Sequence, residues 1–149
     1  MDVFFAPQPL PKSRGGIFLA GPTPRSSGNP SWRPEAIEQL RGMGYDGAIY
    51  VPEREDWATM ESYDGQVQWE WDALDLADVV VFWVPRKLEK MPAFTTNVEF
   101  GLMVPQGKAV LGYPEDAPKM RYLHALADRY ETPVYHDLKS TLQAALDRI

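Results

Sequence analysis

The sequence of 149 residues predicts one α/β domain in which helices cover both faces of a parallel sheet. Apolar runs of strand length alternate with helical segments, which is the order expected when crossover helices join parallel strands. The runs also lack a polar side, because strands of such a sheet are buried on both faces. The predicted strands are residues 17–20, 48–51, 78–84, 109–113 and 133–135.

Five strands in a chain of this length predict a flavodoxin-like doubly wound five-stranded parallel sheet with helices on both faces. In such a sheet ligands bind beyond the carboxyl ends of the strands, at the point where the strand order reverses. The loops that follow the first three strands are therefore the candidate ligand-binding segments. They are residues 21–32, 52–64 and 85–97.

Turn and capping residues set the bounds of the predicted helices. Ser31 is expected to cap a first helix that has Pro34 in its first turn and ends near Met43, before Gly44. Further helices are expected at about residues 66–77, 97–104 and 120–130, and from about residue 138.

The N-terminal segment reads differently from the rest of the chain. Residues 1–15 contain Pro7, Pro9 and Pro11, and proline fixes φ and donates no backbone hydrogen bond. We therefore expect residues 1–15 to form an extended proline-rich arm and residues 16–149 to form the single domain.

Composition excludes several classes of protein. The chain has no cysteine and two histidines, which removes thiolate metal sites and cysteine nucleophiles. Its net charge of −6 disfavours binding to a nucleic-acid polymer, and no apolar run is long enough to cross a membrane. The N-terminus also lacks the features of a signal peptide, so a cytoplasmic protein is expected.

Motif searches leave carboxylates, hydroxyls, amides and aromatic rings as the candidate functional groups. The dinucleotide fingerprint, the phosphate-binding P-loop and the nucleophile elbow of serine hydrolases are all absent from the sequence. Trp32, Trp57, Tyr63 and Trp83 lie in or near the candidate loops, where they could stack on a base or simply pack. Arg25 and Arg33 could meet a phosphate or serve surface solubility.

Glu99 is the leading candidate nucleophile. It is predicted to lie in the first turn of a helix that points at the crevice, where the positive helix end should keep its pKa low. A low pKa suits a nucleophile that must be ionised. The alternative is structural, since Thr96 and Glu99 also have the spacing of a capping box.

A second acidic cluster precedes the third predicted strand. Glu70 stands between Trp69 and Trp71, and apolar surroundings raise the pKa of a carboxyl group. Asp72 and Asp75 follow on the same predicted helix. A solvated helix face is the alternative interpretation for each of these three carboxylates.

Three ordered segments resemble the nucleoside 2-deoxyribosyltransferase family, which includes relatives that hydrolyse nucleoside 5′-monophosphates. They are residues 17–22 (Ile-Phe-Leu-Ala-Gly-Pro), 77–81 (Ala-Asp-Val-Val-Val) and 97–101 (Asn-Val-Glu-Phe-Gly), the last followed by Gly107-Lys108. The resemblance covers about residues 16–113 and is closest to the subgroup described as deoxyribosyltransferase-like.

The resemblance implies specific roles for several residues. Glu99 falls on the family's nucleophilic glutamate, and Glu70 falls on its helper carboxylate, where the family usually has aspartate; Asp72 is the nearby substitute. Ala93 stands where transferases have an acid and nucleotide hydrolases have a serine. The substrate-binding residues implied by the resemblance and by the candidate loops are Gly21, Pro22, Trp32, Arg33, Asp72, Thr96 and Asn97.

The activity that the resemblance implies is cleavage of the N-glycosidic bond of a nucleoside or nucleotide, with transfer to another base or to water. It implies no metal and no organic cofactor, and it implies a homodimer or larger homo-oligomer. Two alternatives stay open: a glycohydrolase that cleaves the nicotinamide–ribose bond of NAD, and a module that binds a nucleotide without cleaving it.

Overall fold

A parallel β-sheet with helices on both faces forms the core of the computed structural model, which describes residues 1–24, 29–55 and 65–149. The strands are β1 (Asp2–Phe5), β2 (Ile17–Ala20), β3 (Ala48–Val51), β4 (Val79–Trp83), β5 (Ala109–Gly112) and β6 (Val134–Tyr135). The helices are α1 (Arg33–Gly42), α2 (Gln66–Leu76), α3 (Phe94–Met103), α4 (Arg121–Arg129) and α5 (Leu138–Leu146), and a 3-10 turn, Val104–Gln106, follows α3.

The doubly wound α/β fold predicted from the sequence is confirmed, and it is consistent with a flavodoxin-like fold. The strand count is wrong, because the described residues form six strands in the order β1-β3-β2-β4-β5-β6. The additional strand lies in the N-terminal segment that was expected to be only an extended arm. Asp2–Phe5 pairs in parallel with Ala48–Val51, in register from one end to the other.

Strand β1 escaped the sequence analysis because proline dominates the segment that contains it. The prolines begin only at residue 7, so the backbone N–H groups of the preceding residues remain available for pairing. The Phe4 ring packs against Tyr50 of β3, with 5.8 Å between the ring centroids. An edge strand needs only one partner strand, and this short segment obtains it from β3. The division into residues 1–15 and 16–149 otherwise stays a prediction.

The two faces of the sheet carry different helices. On one face Leu40 of α1 and Leu142 of α5 pack over β2 and β4. On the other face Ala73 of α2, Phe100 of α3 and Leu123 of α4 share a core with alternate residues of the same strands. Full burial of each large apolar side chain contributes about 1.5–3 kcal/mol. The continuous apolar character of the strands follows from this two-sided burial.

The chain reverses its direction of winding at the pair formed by β2 and β4. These two strands are hydrogen-bonded neighbours, yet the helix after β2 packs on one face and the helix after β4 packs on the other. The loops after the two strands therefore diverge and leave a crevice at the carboxyl edge of the sheet. No helix in the described part of the chain is both long enough and apolar enough to cross a membrane.

Candidate active site

A cleft of about 630 Å³ lies at this crevice, a volume typical of small-molecule sites. Segments that follow β2 and β3 and the first residue of α1 form part of its wall. The first two turns of α2 and of α3, with the two residues before α3, form the rest. The lining residues are Gly21, Pro22, Thr23, Pro24, Arg33, Pro52, Gln66, Val67, Glu70, Pro92, Ala93, Phe94, Thr95, Thr96 and Glu99.

Two carboxylates from different helices share this wall. Glu70 comes from α2 and accepts a hydrogen bond of 3.0 Å from Gln66 Nε2. Burial raises the pKa of Glu70. Burial first, and then the negative charge of Glu70, raise the pKa of Glu99 on α3 to about 8, while the positive charge of Arg33 opposes the rise. The pair therefore holds a proton at neutral pH.

The expected start of α3 at Asn97 is wrong. The helix begins at Phe94, and its N-cap is Ala93, with φ 60° and ψ 41° and no side-chain capping hydrogen bond. Glu99 consequently lies in the second turn, and the capping box of Thr96 and Glu99 does not form. Sequence rules missed this start because an alanine rarely adopts the left-handed conformation that lets the helix begin here.

The expected low pKa of Glu99 is also wrong, for a related reason. The favourable effect of a helix N-terminus falls off within the first turn, and Glu99 lies beyond it. Burial and a second carboxylate then decide the direction of the pKa shift.

Arg33 lies in the cleft wall with only 1% of its surface exposed, so a role in surface solubility is wrong. Its Nε donates to the Leu19 carbonyl at 2.9 Å, and its Nη2 donates to the Gly21 carbonyl at 2.8 Å. Its Nη1 donates to Thr23 Oγ1 at 3.2 Å and forms an ion pair with Glu53. The guanidinium group is thus bound to the loop after β2 and to the residue after Pro52.

Trp32 packs beneath the cleft instead of lining it. Its indole ring is 8% exposed and lies against Gly21. A Cβ atom at Gly21 would stand 2.9 Å from Trp32 Cζ2 and would overlap the Trp83 carbonyl oxygen. Glycine is therefore required at position 21 for this close approach. Trp83 is itself 8% exposed and belongs to the same core.

Two other predicted substrate-binding residues lie outside the cleft wall. Asp72 is exposed on α2 and accepts a hydrogen bond of 2.7 Å from Gln68 Nε2, because residues two apart on a helix point to different faces. Asn97 uses its Oδ1 atom to accept a hydrogen bond from the buried Arg86. Gly21, Pro22, Thr96, Glu70 and Glu99 do line the cleft.

The remaining candidates divide between the core, the surface and the undescribed segments. Trp69 is buried and donates from Nε1 to the Gln8 carbonyl at 2.8 Å, whereas Trp71 is exposed. Arg25, Trp57 and Tyr63 lie outside the described residues. Across residues 1–24, 29–55 and 65–149 no group of three or more His, Asp or Glu side chains is placed to hold a metal ion.

Sequence reasoning missed Glu53 and Phe94. Glu53 follows the third strand of the described sheet by two residues, so the rule that ligand sites lie at carboxyl ends could have found it. Phe94 lies in the candidate segment 85–97, but the expected helix start at Asn97 gave no reason to single it out from that segment.

The fold and the cleft define a small flavodoxin-like α/β protein with paired carboxylates at the switch point of its sheet. The chain belongs to the nucleoside 2-deoxyribosyltransferase-like family, whose model matches residues 14–117. This match includes each of the described residues that line the cleft. Membership implies a general role in nucleoside glycosyl transfer and a small-molecule nucleoside substrate. A comparison with curated proteins gave no match.

Proposed function

We propose that this protein cleaves the N-glycosidic bond of a nucleoside or nucleotide, with Glu99 as the nucleophile and Glu70 as the helper carboxylate. The observation that supports this best is the presence of both carboxylates in one cleft, where the charge of Glu70 acts on Glu99. Retaining glycosidases use such a pair, in which one carboxylate attacks and the other carboxyl group donates a proton.

The reaction proceeds in two steps. Ionised Glu99 attacks C1′ of the sugar, the bond from C1′ to the base breaks, and the base takes a proton from Glu70 or from water. The resulting glycosyl ester on Glu99 is then attacked at C1′ by water or by a second base, which gives its proton to Glu70 or to solvent, and Glu99 leaves as a carboxylate. Two inversions at C1′ retain its configuration.

The neighbouring residues have supporting roles in this proposal. Gly21 and Pro22 form the part of the wall that receives the sugar, and their fixed backbone excludes bulky groups from this part of the cleft. The Thr96 hydroxyl and the free N–H groups of the first turn of α3 bind sugar oxygens or a 5′ substituent. Phe94 is 68% exposed at the cleft and offers a ring face to the base.

A variant series tests the nucleophile. A panel of nucleosides, nucleotides and NAD is incubated with wild-type protein and with Glu99→Ala, and free base is measured by chromatography. Asp72→Asn is the matched control, because it neutralises a carboxylate of α2 that lies outside the cleft. Glu99→Ala is expected to lose at least about 100-fold in rate. Wild-type turnover by Glu99→Ala would rule out the proposal.

Mass spectrometry tests the covalent step directly. A 2′-fluoro nucleoside is expected to leave a sugar adduct on Glu99, because fluorine slows the second step. Adding a second free base separates transfer from hydrolysis, since transfer yields a new nucleoside. Cleavage of NAD alone would support the glycohydrolase alternative, and a nucleotide that binds but survives would support a sensing module.

The proposal includes a homodimer or larger homo-oligomer. Phe94, Val98 and Leu102 form an apolar stripe along α3 with 52–68% of each residue exposed, and its first member lines the cleft. A second copy packed on this stripe would cover it and close one side of the cleft. Light scattering checks the mass, and Leu102→Glu is expected to yield monomers. A cytoplasmic location stays a prediction of the sequence.

A further inference from the structure

The ion pair of Arg33 and Glu53 joins three segments that shape the cleft. Arg33 opens α1, Glu53 follows β3, and the guanidinium group also holds two carbonyl groups and one hydroxyl group of residues 19–23. Ser31 Oγ donates to Glu53 Oε1 at 2.8 Å and accepts from the Arg33 backbone N–H at 3.2 Å. This network fixes the loop that carries Gly21 and Pro22.

Such a pair is costly to bury, since each charge loses its hydration. Their side chains are 1% and 9% exposed. Burial of a charge costs several kcal/mol before pairing, and an apolar pair of similar size is often as stable. Stability alone therefore gives a weak reason for placing an ion pair in the wall of a cleft.

The position of the pair gives it a second effect. Arg33 lines the same cleft as Glu70 of α2 and Glu99 of α3, and its positive charge lowers the pKa of both. Glu53 is paired with the guanidinium group, so its negative charge cancels part of that positive field. Among the described residues, the charged side chains that line the cleft are Arg33, Glu70 and Glu99, and Glu53 is the ion-pair partner of Arg33.

We propose that Arg33 and Glu53 are a positioning pair that holds the Gly21 loop in place and sets the electric field at Glu70 and Glu99. The inference rests on the proposed function only where it treats these carboxylates as the reacting groups. Arg33 is bound to protein oxygens, so its charge acts on the carboxylates without the side chain leaving the wall.

Titration of the cleft carboxyls in the free protein tests the pair without any substrate. The protein is labelled with 13C at the glutamate carboxyl carbons, and Glu70→Gln and Glu99→Gln assign the two signals. Glu53→Gln strengthens the net positive field and is expected to lower the titration midpoint of Glu99 by about half a pH unit. The double variant Arg33→Gln/Glu53→Gln removes both charges and is expected to raise the midpoint by a similar amount.

Glu38→Gln is the matched control, because Glu38 pairs with Arg41 on the exposed side of α1. It is expected to leave the midpoint within about 0.1 pH unit, as exposed charges are screened. Opposite shifts of the Glu99 midpoint in the two test variants would support the proposed role of the pair. If one variant does not fold, the shift in the other tests the proposal alone. A Glu99 midpoint that stays at its wild-type value in the folded variant would overturn the inference.

The activity assay separates this inference from the proposed function. If no nucleoside or nucleotide is cleaved but the midpoints move as described, the proposed function is wrong and the effect of the pair on Glu99 is supported. If cleavage occurs, its pH profile is expected to shift with the Glu99 midpoint. Cleavage with unmoved midpoints would support the function and reject the role of the pair.

Discussion

Glu70 on α2 and Glu99 on α3 line the same cleft, and the negative charge of Glu70 contributes to raising the pKa of Glu99 to about 8. At pH 7 the protonated form of Glu99 is therefore favoured. Because the proposed attack needs the ionised form, we expect activity to depend on the protonation states of both carboxyl groups.

Glu70→Gln is expected to lower the pKa of Glu99, because it removes a neighbouring negative charge. The increase of kcat/KM with pH, which follows the ionisation of Glu99, should then occur at lower pH. The maximal rate should fall about 100-fold or more, because the helper carboxyl group is lost. A pH–rate profile measures both effects. Asp72→Asn should change neither, and an unmoved profile in Glu70→Gln would contradict the coupling of the two groups.

Glu99→Gln is expected to stabilise the protein at alkaline pH. The folded-state pKa of Glu99 lies above its ordinary value of 4.5, so the folded chain binds more protons and loses stability as pH rises from about 4.5 to 8. The variant removes this loss, which we expect to be about 1–3 kcal/mol because Glu99 keeps some solvent contact. Thermal unfolding at pH 5 and pH 9 measures it, with Glu38→Gln as the control. Equal gains at both pH values would contradict the prediction.

Gly21→Ala is expected to destabilise the fold by about 3 kcal/mol or more, because its Cβ would overlap the Trp83 carbonyl and press on Trp32. Gly101→Ala is the matched control. Gly101 lies within α3, and beyond its chain neighbours and the backbone of its own helix no atom lies within 4 Å of an added Cβ, so alanine there should gain up to about 1 kcal/mol. Urea unfolding compares the two variants. Similar stabilities would show that Gly21 does not need its close contact.

Thr96→Val is expected to reduce kcat/KM about 10-fold with little change in thermal stability. Thr96 is 3% exposed and lines the cleft, so valine preserves its volume and removes only the hydroxyl group. Steady-state kinetics measure the loss. Thr95→Val, at the neighbouring exposed wall position, shows whether the effect belongs to the buried hydroxyl. An unchanged kcat/KM would remove Thr96 from the substrate contacts.

Local sequence patterns predicted most of the fold. The apolar run of β4 and the Gly21-Pro22 turn after β2 are properties of neighbouring residues, and they indicated strands, crossovers and the edge of the sheet where the cleft lies. Strand β1 was missed because its identity depends on β3, a distant segment with which it pairs.

For the site, the sequence by itself determined that Glu70 precedes β4 and that Glu99 follows it. Strand β4 is one of the two strands that meet at the switch point. Only the tertiary structure decided that Ala93 starts α3 early, that Arg33 pairs with Glu53, and that Asp72 and Asn97 stay out of the cleft. It also reversed the expected pKa shift of Glu99. Burial and the charge of Glu70 cause that shift, and both come from residues that are distant in the chain and adjacent in space.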